Sequence, residues 1–429
     1  MIYDLTIIGA GWAGFNAAIK AKESGLKVCL ADKSDIGGTC LNRGCIPTKS
    51  LVQSARIFEE IKKSKTFGIE SASLPVANWS AIQERKNRII LQLKQGMQSG
   101  LHGVDFLNKE VVVLDNNHIQ TDEGKFETRS ILISSGSTPA ELKELRFDNK
   151  RIVSSDQILN CKVIPKSLLI IGGGVIGCEF AAIFSSFGSK VCIVECMSQL
   201  LPGIDQDVAK KLEMVFKKKG IQVNTNTNAL ALDLNSFEII LVCVGRKPVI
   251  PAFENIDLKT DNGKIVVDDL LKTSIPNIYA AGDCTAKCML AHFASYQGRI
   301  AAHNIAFPNE PINAVDENIP NCVFTNPEIA SVGFSEEAAK NKNISVRINK
   351  FDFLGSGMAR ILEEPEGFIK IISDAKTDDI LGASIIGPKA TELIAILTVA
   401  IKAKINTHQL KNTVLAHPTL SEAITEALN

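Results

Sequence analysis

The chain has no excess charge of either sign: Lys and Arg number 47, Asp and Glu number 47, and the formal net charge is zero. No basic field argues for nucleic acid, and no polybasic run argues for an anionic membrane surface. No apolar run reaches the length of a bilayer span. The opening Met1-Ile-Tyr-Asp leads straight into an apolar strand rather than a charged region followed by a long hydrophobic one, so no secretory leader is expected. Without a leader, the 11 cysteines belong in a reducing compartment, the cytoplasm, where most stay as thiols. What remains is an ordinary globular composition, 45% hydrophobic and 22% charged over 429 residues, enough for two or three domains. No metal site is expected.

Against that plain background one pattern occurs twice. Leu5-Thr-Ile-Ile8 ends in Gly9-Ala-Gly11-Trp-Ala-Gly14; a helix is expected over Phe15 to Lys22, then a strand over Leu26 to Ala31 that stops at Asp32. Ser167-Leu-Leu-Ile-Ile171 ends in Gly172-Gly-Gly174-Val-Ile-Gly177, followed by a helix through Phe187 and a strand from Lys190 to Val194 that stops at Glu195. The interval from last glycine to acid is the same in both. Each copy is a strand–turn–helix–strand dinucleotide fingerprint: the first glycine permits the turn, the second admits the pyrophosphate, and the third lets helix and strand pack closely. The phosphates meet the positive helix end and its free N–H groups. The terminal acid accepts hydrogen bonds from ribose hydroxyls. Glu195 would repel a 2′-phosphate, and no arginine follows it in Cys196-Met-Ser-Gln-Leu-Leu, so the second site is expected to take NAD rather than NADP.

Close behind the first fingerprint come two cysteines in Gly37-Gly-Thr-Cys40-Leu-Asn-Arg-Gly-Cys45-Ile-Pro47-Thr-Lys49. In one continuous helix, Cα atoms at i and i+5 lie roughly 8–9 Å apart, whereas a disulfide needs about 4.4–6.8 Å. Bridging them would distort such a helix, and strained, accessible disulfides are the labile ones. By itself the spacing favours two small buried thiols. The flanking glycines and the neighbouring fingerprint favour a redox-active pair.

The rest of the chain frames these motifs. Gln53 to Gly100 is charged and helical in pattern, with a loop near Leu74-Pro75. Ile131 to Pro139 and Ile239 to Pro248 are apolar strands closing on Gly136 and Gly245, and Ile278-Tyr-Ala-Ala-Gly282-Asp283 is another strand of that kind. Beyond about residue 314 the fingerprints stop. Alternating apolar stretches and an apolar helix around Glu392 to Lys402, too short to span a membrane, suggest an α+β domain. His417-Pro-Thr-Leu-Ser-Glu422 lies near the end; Thr419 and Glu422 also form a capping-box pattern.

Taken in order, the cysteine motif, the two fingerprints, Gly282-Asp283 and His417-Pro-Thr-Leu-Ser-Glu422 resemble the flavin-dependent disulfide reductases over the whole chain, and within them the dihydrolipoamide dehydrogenase branch. Leu-Asn-Arg-Gly-Cys-Ile-Pro-Thr favours that branch over the glutathione and trypanothione reductases, and no cysteine pair follows Cys322 as it does in mercuric reductases. The resemblance implies an α/β fold of two Rossmann-like domains plus an α+β dimerisation domain: an FAD domain over 1–147 and 273–313, a trimmed NAD domain over 148–272, and an interface domain over 314–429. It implies a homodimer in which the histidine of one subunit serves the cysteines of the other. It also implies lipoyl domains and the acyltransferase core of 2-oxoacid dehydrogenase complexes, or the glycine cleavage H protein, as partners.

Residue by residue, the resemblance makes Cys40 the interchange thiol, Cys45 the thiol against the flavin, His417 the base and Glu422 its orienting partner. Thr419 is expected to cap the last helix. Lys49 is implied beside the flavin with Glu179 as its ion-pair partner; the plainer reading is two surface helix charges. FAD contacts are implied at Gly9, Gly11, Gly14, Asp32, Lys33, Gly38, Thr39, Lys49, Val111, Ser135, Gly136, Ser137, Asp283, Met289, Leu290, Ala291 and His292. For Asp283 the plainer reading is a turn residue. NAD contacts are implied at Gly172, Gly174, Val175, Ile176, Gly177, Glu179, Glu195 and Gly245.

The activity so implied is oxidation of protein-bound dihydrolipoamide with reduction of NAD; the alternatives are a related NAD(P)H-dependent disulfide or mercuric-type reductase, and a non-catalytic flavoprotein, which would require loss of a redox residue. This chain departs from the family at Leu415, where a second histidine is common, at Ser134-Ser-Gly-Ser137, at Asp32, where glutamate is common, and between Asn224 and Ile239, where a β-meander of a few dozen residues is usual.

Overall fold

In a computed structural model that describes residues 2–70, 73–254, 256–315 and 317–429, the chain forms two compact units, Met1–Ser50 with Gln83–Ala140 and Gly245–Asp316, and Leu51–Ile82 with Glu141–Val244 and Glu317–Asn429.

The first unit is built on an eight-stranded sheet. At its centre β1 (Ile2–Ile8) pairs in parallel with β2 (Val28–Ala31) on one side and with Gly124–Ile133 on the other. β1 and β2 read as nearly continuous apolar runs because both of their faces are covered. Between them runs α1 (Trp12–Glu23), which starts earlier than the residue pattern suggests because Gly11 already ends the turn. Its small buried residues, Ala13, Gly14, Ala17, Ala18 and Ala21, let it lie close to the sheet and to the helix Ala291–Ala306. The second strand is shorter than the pattern suggests, beginning at Val28.

A short helix and a long one follow: α2 (Gly38–Arg43) and α3 (Cys45–Lys62). The cysteine motif is therefore divided between two helices. Gly44, at φ −143° and ψ −113°, breaks it between the two cysteines. A Cβ at Gly44 would lie 2.9 Å from the Thr39 carbonyl oxygen and 3.3 Å from Cys40 Cα, so the break also needs the missing side chain.

The second unit holds two sheets. One is all parallel, in the order Gln222–Asn224, β4, β3, Ile239–Val242, Ile152–Val153; here β3 is Ser167–Ile171 and β4 is Lys190–Val194. They flank α4 (Val175–Ser186) and repeat the β1–α1–β2 arrangement. The expected shortening appears directly: residues 225–238 contain only two 3₁₀ turns, Ala229–Ala231 and Leu234–Ser236, each begun by an Asn228 or Asp233 side chain accepting a backbone N–H. The other sheet is antiparallel, ordered Asn321–Val323, Glu328–Gly333, Ile380–Gly387, Phe368–Asp374, Val346–Asp352. The apolar helix Ala390–Lys402 buries Leu393, Ile394 and Leu397 against it. Lys370 of that sheet is buried among carboxylates, 2.9 Å from Glu336 and 3.3 Å from both Asp205 and Asp207. The α/β class implied by the residue pattern is the class observed. Among the described residues, no helix is long and apolar enough to cross a membrane.

Candidate active site

The two glycine-rich turns are built alike. Gly9 and Gly172 adopt φ of 108° and 109°, a region open to glycine, and a Cβ on either would press within 2.3 Å of Ser134 O or 2.5 Å of Cys243 O on the adjoining strand. Gly14 and Gly177 pass so close to the turns that a Cβ would fall 1.8 and 2.0 Å from the oxygens of Gly9 and Gly172. Neither Gly11 nor Gly174, the N-caps of α1 and α4, has a side chain to cap its helix. The first-turn N–H groups and the positive helix ends are thus left for an anion, as the phosphates of a dinucleotide require. Val175 and Ile176 open α4 half-buried at that end.

The terminal acids do the same work twice. Asp32 Oδ2 accepts the Ala10 N–H at 2.7 Å, and Oδ1 accepts the Ser34 N–H at 2.8 Å. Glu195 Oε2 accepts the Gly173 N–H at 2.6 Å, and Oε1 accepts the Met197 N–H at 2.8 Å. Each carboxylate oxygen braces its own turn through one backbone N–H, and Glu195 Oε1 also accepts the Cys196 thiol at 3.4 Å.

The cysteine motif is seated on the first turn. The Gly37 N–H donates to Ala10 O at 2.9 Å, and Gly38 approaches Gly11 so closely that a Cβ on Gly38 would stand 2.7 Å from Gly11 Cα. Cys40 and Cys45 are half-buried, unlike the fully buried Cys29, Cys178 and Cys284, and stand as thiols that share a hydrogen bond. That hydrogen bond raises the Cys40 thiol well above the ordinary cysteine range, and burial and the nearness of Cys45 add to it; the Trp12 indole and the Lys49 ammonium pull the other way. Two inert core thiols do not match this exposure and mutual contact.

On the same unit, Ser137 links three stretches of chain. Its hydroxyl donates to Asp283 Oδ2 at 2.5 Å and accepts from Arg246 Nε at 2.7 Å, while Arg246 Nη2 donates to Ser137 O at 2.8 Å and reaches Thr39 Oγ1 at 3.4 Å. Asp283 starts a 3₁₀ turn and so is also a turn residue, but its carboxylate is engaged in this cluster. Arg246 escaped the sequence reading; its only signal was its place directly after Gly245. Ser135 donates to Val249 O at 2.6 Å, and Gly136 takes a left-handed φ of 73°. Lys33 is exposed and ion-paired to Glu110, Val111 packs into the apolar core, Met289, Leu290 and Ala291 are half-buried, and His292 is exposed. Gly245, at φ 119°, accepts the Ala140 N–H.

Glu179 lies in the second unit and Lys49 in the first. Glu179 is 3% exposed and its Oε1 accepts the Phe324 N–H at 3.0 Å, so it is no surface charge; Lys49 is half-buried.

At the other end of the chain, His417 Nδ1 is 2.8 Å from Glu422 Oε1, and Glu422 Oε2 accepts the Thr419 N–H at 2.8 Å. These bonds, the Thr419 N–H first and His417 second, hold the Glu422 carboxyl below its ordinary value. One carboxylate therefore orients the imidazole and closes half of the capping box. The other half is absent: the Thr419 hydroxyl donates to Ala416 O, and the N-cap of the helix Glu422–Glu426 is Ser421, without a side-chain hydrogen bond. The expected Thr419 cap is thus corrected. The imidazole itself is 81% exposed. Among the described residues, no cluster of three His, Cys, Asp or Glu could hold a metal.

Known proteins resemble this chain along nearly its whole length. Residues 3–298 match the profile of the pyridine nucleotide-disulphide oxidoreductase family, and residues 319–428 match the dimerisation domain of the same family. A dihydrolipoyl dehydrogenase of Bacillus subtilis is 36% identical, with 99% of this chain and 97% of that protein aligned; one of Chlamydia trachomatis is 37% identical over 99% and 96%. The solved HOCl-induced flavoprotein disulfide reductase RclA of Escherichia coli superposes with a TM-score of 0.88 at 26% identity, over 99% of each chain.

Proposed function

This chain belongs to the pyridine nucleotide-disulphide oxidoreductase family, and from that we propose that it oxidises protein-bound dihydrolipoyl groups to lipoyl, with FAD and NAD as its cofactors. The observation that carries the reading is the Cys40–Cys45 pair, in mutual contact and docked through Gly37 and Gly38 on the first phosphate-binding turn. The relatives at 36–37% identity are dihydrolipoyl dehydrogenases, which favours this substrate over another disulfide or a metal ion.

The N-terminus of α1 would hold the FAD pyrophosphate, and Asp32, which braces that turn, would meet the adenosine ribose. Ser137, Asp283 and Arg246 would offer polar groups to the same cofactor. The N-terminus of α4, with Glu195, would do the corresponding work for NAD. When bound, the flavin supplies two-electron storage and the nicotinamide the final hydride acceptor. A dihydrolipoyl thiolate attacks Cys40 of the Cys40–Cys45 disulfide, and Cys45 leaves as thiolate. The second dihydrolipoyl sulfur then attacks the mixed disulfide, releasing lipoyl and the Cys40 thiolate. The substrate gives up two protons and two electrons, and the two cysteine sulfurs receive the electron pair. His417 takes a proton from the substrate thiol or from Cys40, and ionised Glu422 holds its ring and stabilises the imidazolium. Lys49 would stand beside the flavin.

The match to the family's dimerisation domain supports a homodimer, in which we place His417 of each subunit at the cysteines of the other. We assign the first nucleotide fold to 1–147 with 273–313, the second to 148–272 and the interface to 314–429. Lipoyl domains of 2-oxoacid dehydrogenase complexes, or of the glycine cleavage system, in the cytoplasm are the proposed partners. Purified protein with dihydrolipoamide and NAD forms NADH; no NADH formation by flavin-loaded protein sinks the proposal.

A further inference from the structure

We infer that the indole N–H of Trp12 is a preformed donor for the Cys40 thiolate, so that ionising this thiol satisfies a buried donor which the neutral thiol leaves unpaired.

The chain has two tryptophans, and they are treated differently. The Trp79 indole N–H donates to Cys161 O at 2.9 Å, as a buried indole ordinarily does. The Trp12 indole nitrogen is also buried, but no acceptor lies in hydrogen-bonding geometry around it. Buried side-chain donors without partners are uncommon, and each calls for a reason. Position supplies one. Trp12 opens α1, directly after Gly11, and the start of α2 is held on that turn by the Gly37–Ala10 hydrogen bond and the Gly38–Gly11 approach. These contacts set the indole against Cys40, the third residue of α2, where it acts to ease ionisation of the thiol.

A neutral thiol is a weak acceptor and a thiolate a strong, charged one. An N–H fixed beside the sulfur with nothing else to bond therefore favours the charged form selectively. A donor already placed costs no reorganisation when the charge appears, as in an oxyanion hole. The other groups acting on Cys40 are Cys45, whose thiol opposes ionisation, and Lys49, whose charge assists it. Trp12 thus assists without carrying a charge.

The inference rests on Cys40 being the interchange thiol, as proposed above. The test is alkylation by iodoacetamide of the flavin-loaded enzyme, reduced anaerobically with a phosphine, with Cys40 followed by peptide mass as a function of pH. Trp12→Phe keeps the ring and removes the N–H. The expected result is a Cys40 ionisation moved upward by about one pH unit, seen as roughly tenfold slower alkylation below it. An unchanged profile overturns the inference, and so does an unchanged profile accompanied by flavin loss, which would assign the indole to the cofactor.

A second measurement needs no variant. In wild-type enzyme labelled with ¹⁵N-tryptophan, the Trp12 indole signal shifts through the Cys40 ionisation while that of Trp79 stays still; a stationary Trp12 signal overturns the idea. Neither readout uses dihydrolipoamide. A chain that shows both effects but forms no NADH from that substrate keeps the Trp12 role and loses the substrate assignment.

Discussion

Glu195 accepts the Gly173 backbone N–H at 2.6 Å, and Asp32 accepts the Ala10 N–H at 2.7 Å, so each nucleotide turn is tied to the acid at the end of its own βαβ unit. The acid usually described as reading the ribose is first of all part of the turn. Replacing Glu195 by Ala leaves the Gly173 and Met197 N–H groups without their acceptor, at about 1–3 kcal/mol for the buried Gly173 group. NADH affinity by isothermal titration should fall at least about tenfold and the melting temperature should drop. An unaltered affinity would leave Glu195 with no role in nucleotide binding.

His417→Ala should reduce dihydrolipoamide turnover by roughly 10²- to 10⁴-fold, the usual worth of a positioned base, with the visible flavin spectrum unchanged. Glu422→Gln should lose less, because an amide oxygen can still receive one N–H. If His417→Ala turns over normally, the His417–Glu422 contact at 2.8 Å is structural only.

The cysteines should behave unequally. Cys45→Ser should abolish the long-wavelength absorbance of partly reduced enzyme while FAD stays bound, whereas Cys40→Ser should retain such absorbance and lose turnover. Identical spectra for the two variants would reverse or remove the assignment of roles.

Acid stability should depend on the carboxylates around Lys370. Hydrogen bonds from Lys340 and then Lys370 hold Glu336 at about 2, against 4.5 for the free side chain. A carboxyl lowered on folding stabilises the fold above its unfolded value and loses that contribution as pH falls from 4.5 toward 2. Glu336→Gln should flatten the acid limb of a pH–stability curve in this window. Lys370 is held protonated because its three carboxylate neighbours outweigh the opposing effect of burial. Lys370→Met strands the buried Asp205 carboxylate and should cost on the order of 3 kcal/mol at neutral pH, read from denaturant unfolding.

The parts of the site that one short stretch specifies were legible in the residues. Gly9 to Asp32, Gly172 to Glu195, the cysteine motif and the pair His417 and Glu422 each carry spacing that only a particular local geometry satisfies. The cluster of Ser137, Arg246, Asp283 and Thr39 was not, because its members come from four distant stretches that meet only in the folded unit. The Thr419 cap was misread for a local reason. The pattern counts two reciprocal bonds, yet the hydroxyl found Ala416 O first and left Glu422 to make its half alone. The helix break at Gly44 was hidden as well, since a single glycine between helical residues is often tolerated.

That break has a mechanical consequence. With Gly44 between them, Cys40 travels with α2 and Cys45 with the long α3. A bond between the sulfurs would then not have to span five residues along one continuous helix, the one geometry that holds their Cα atoms too far apart.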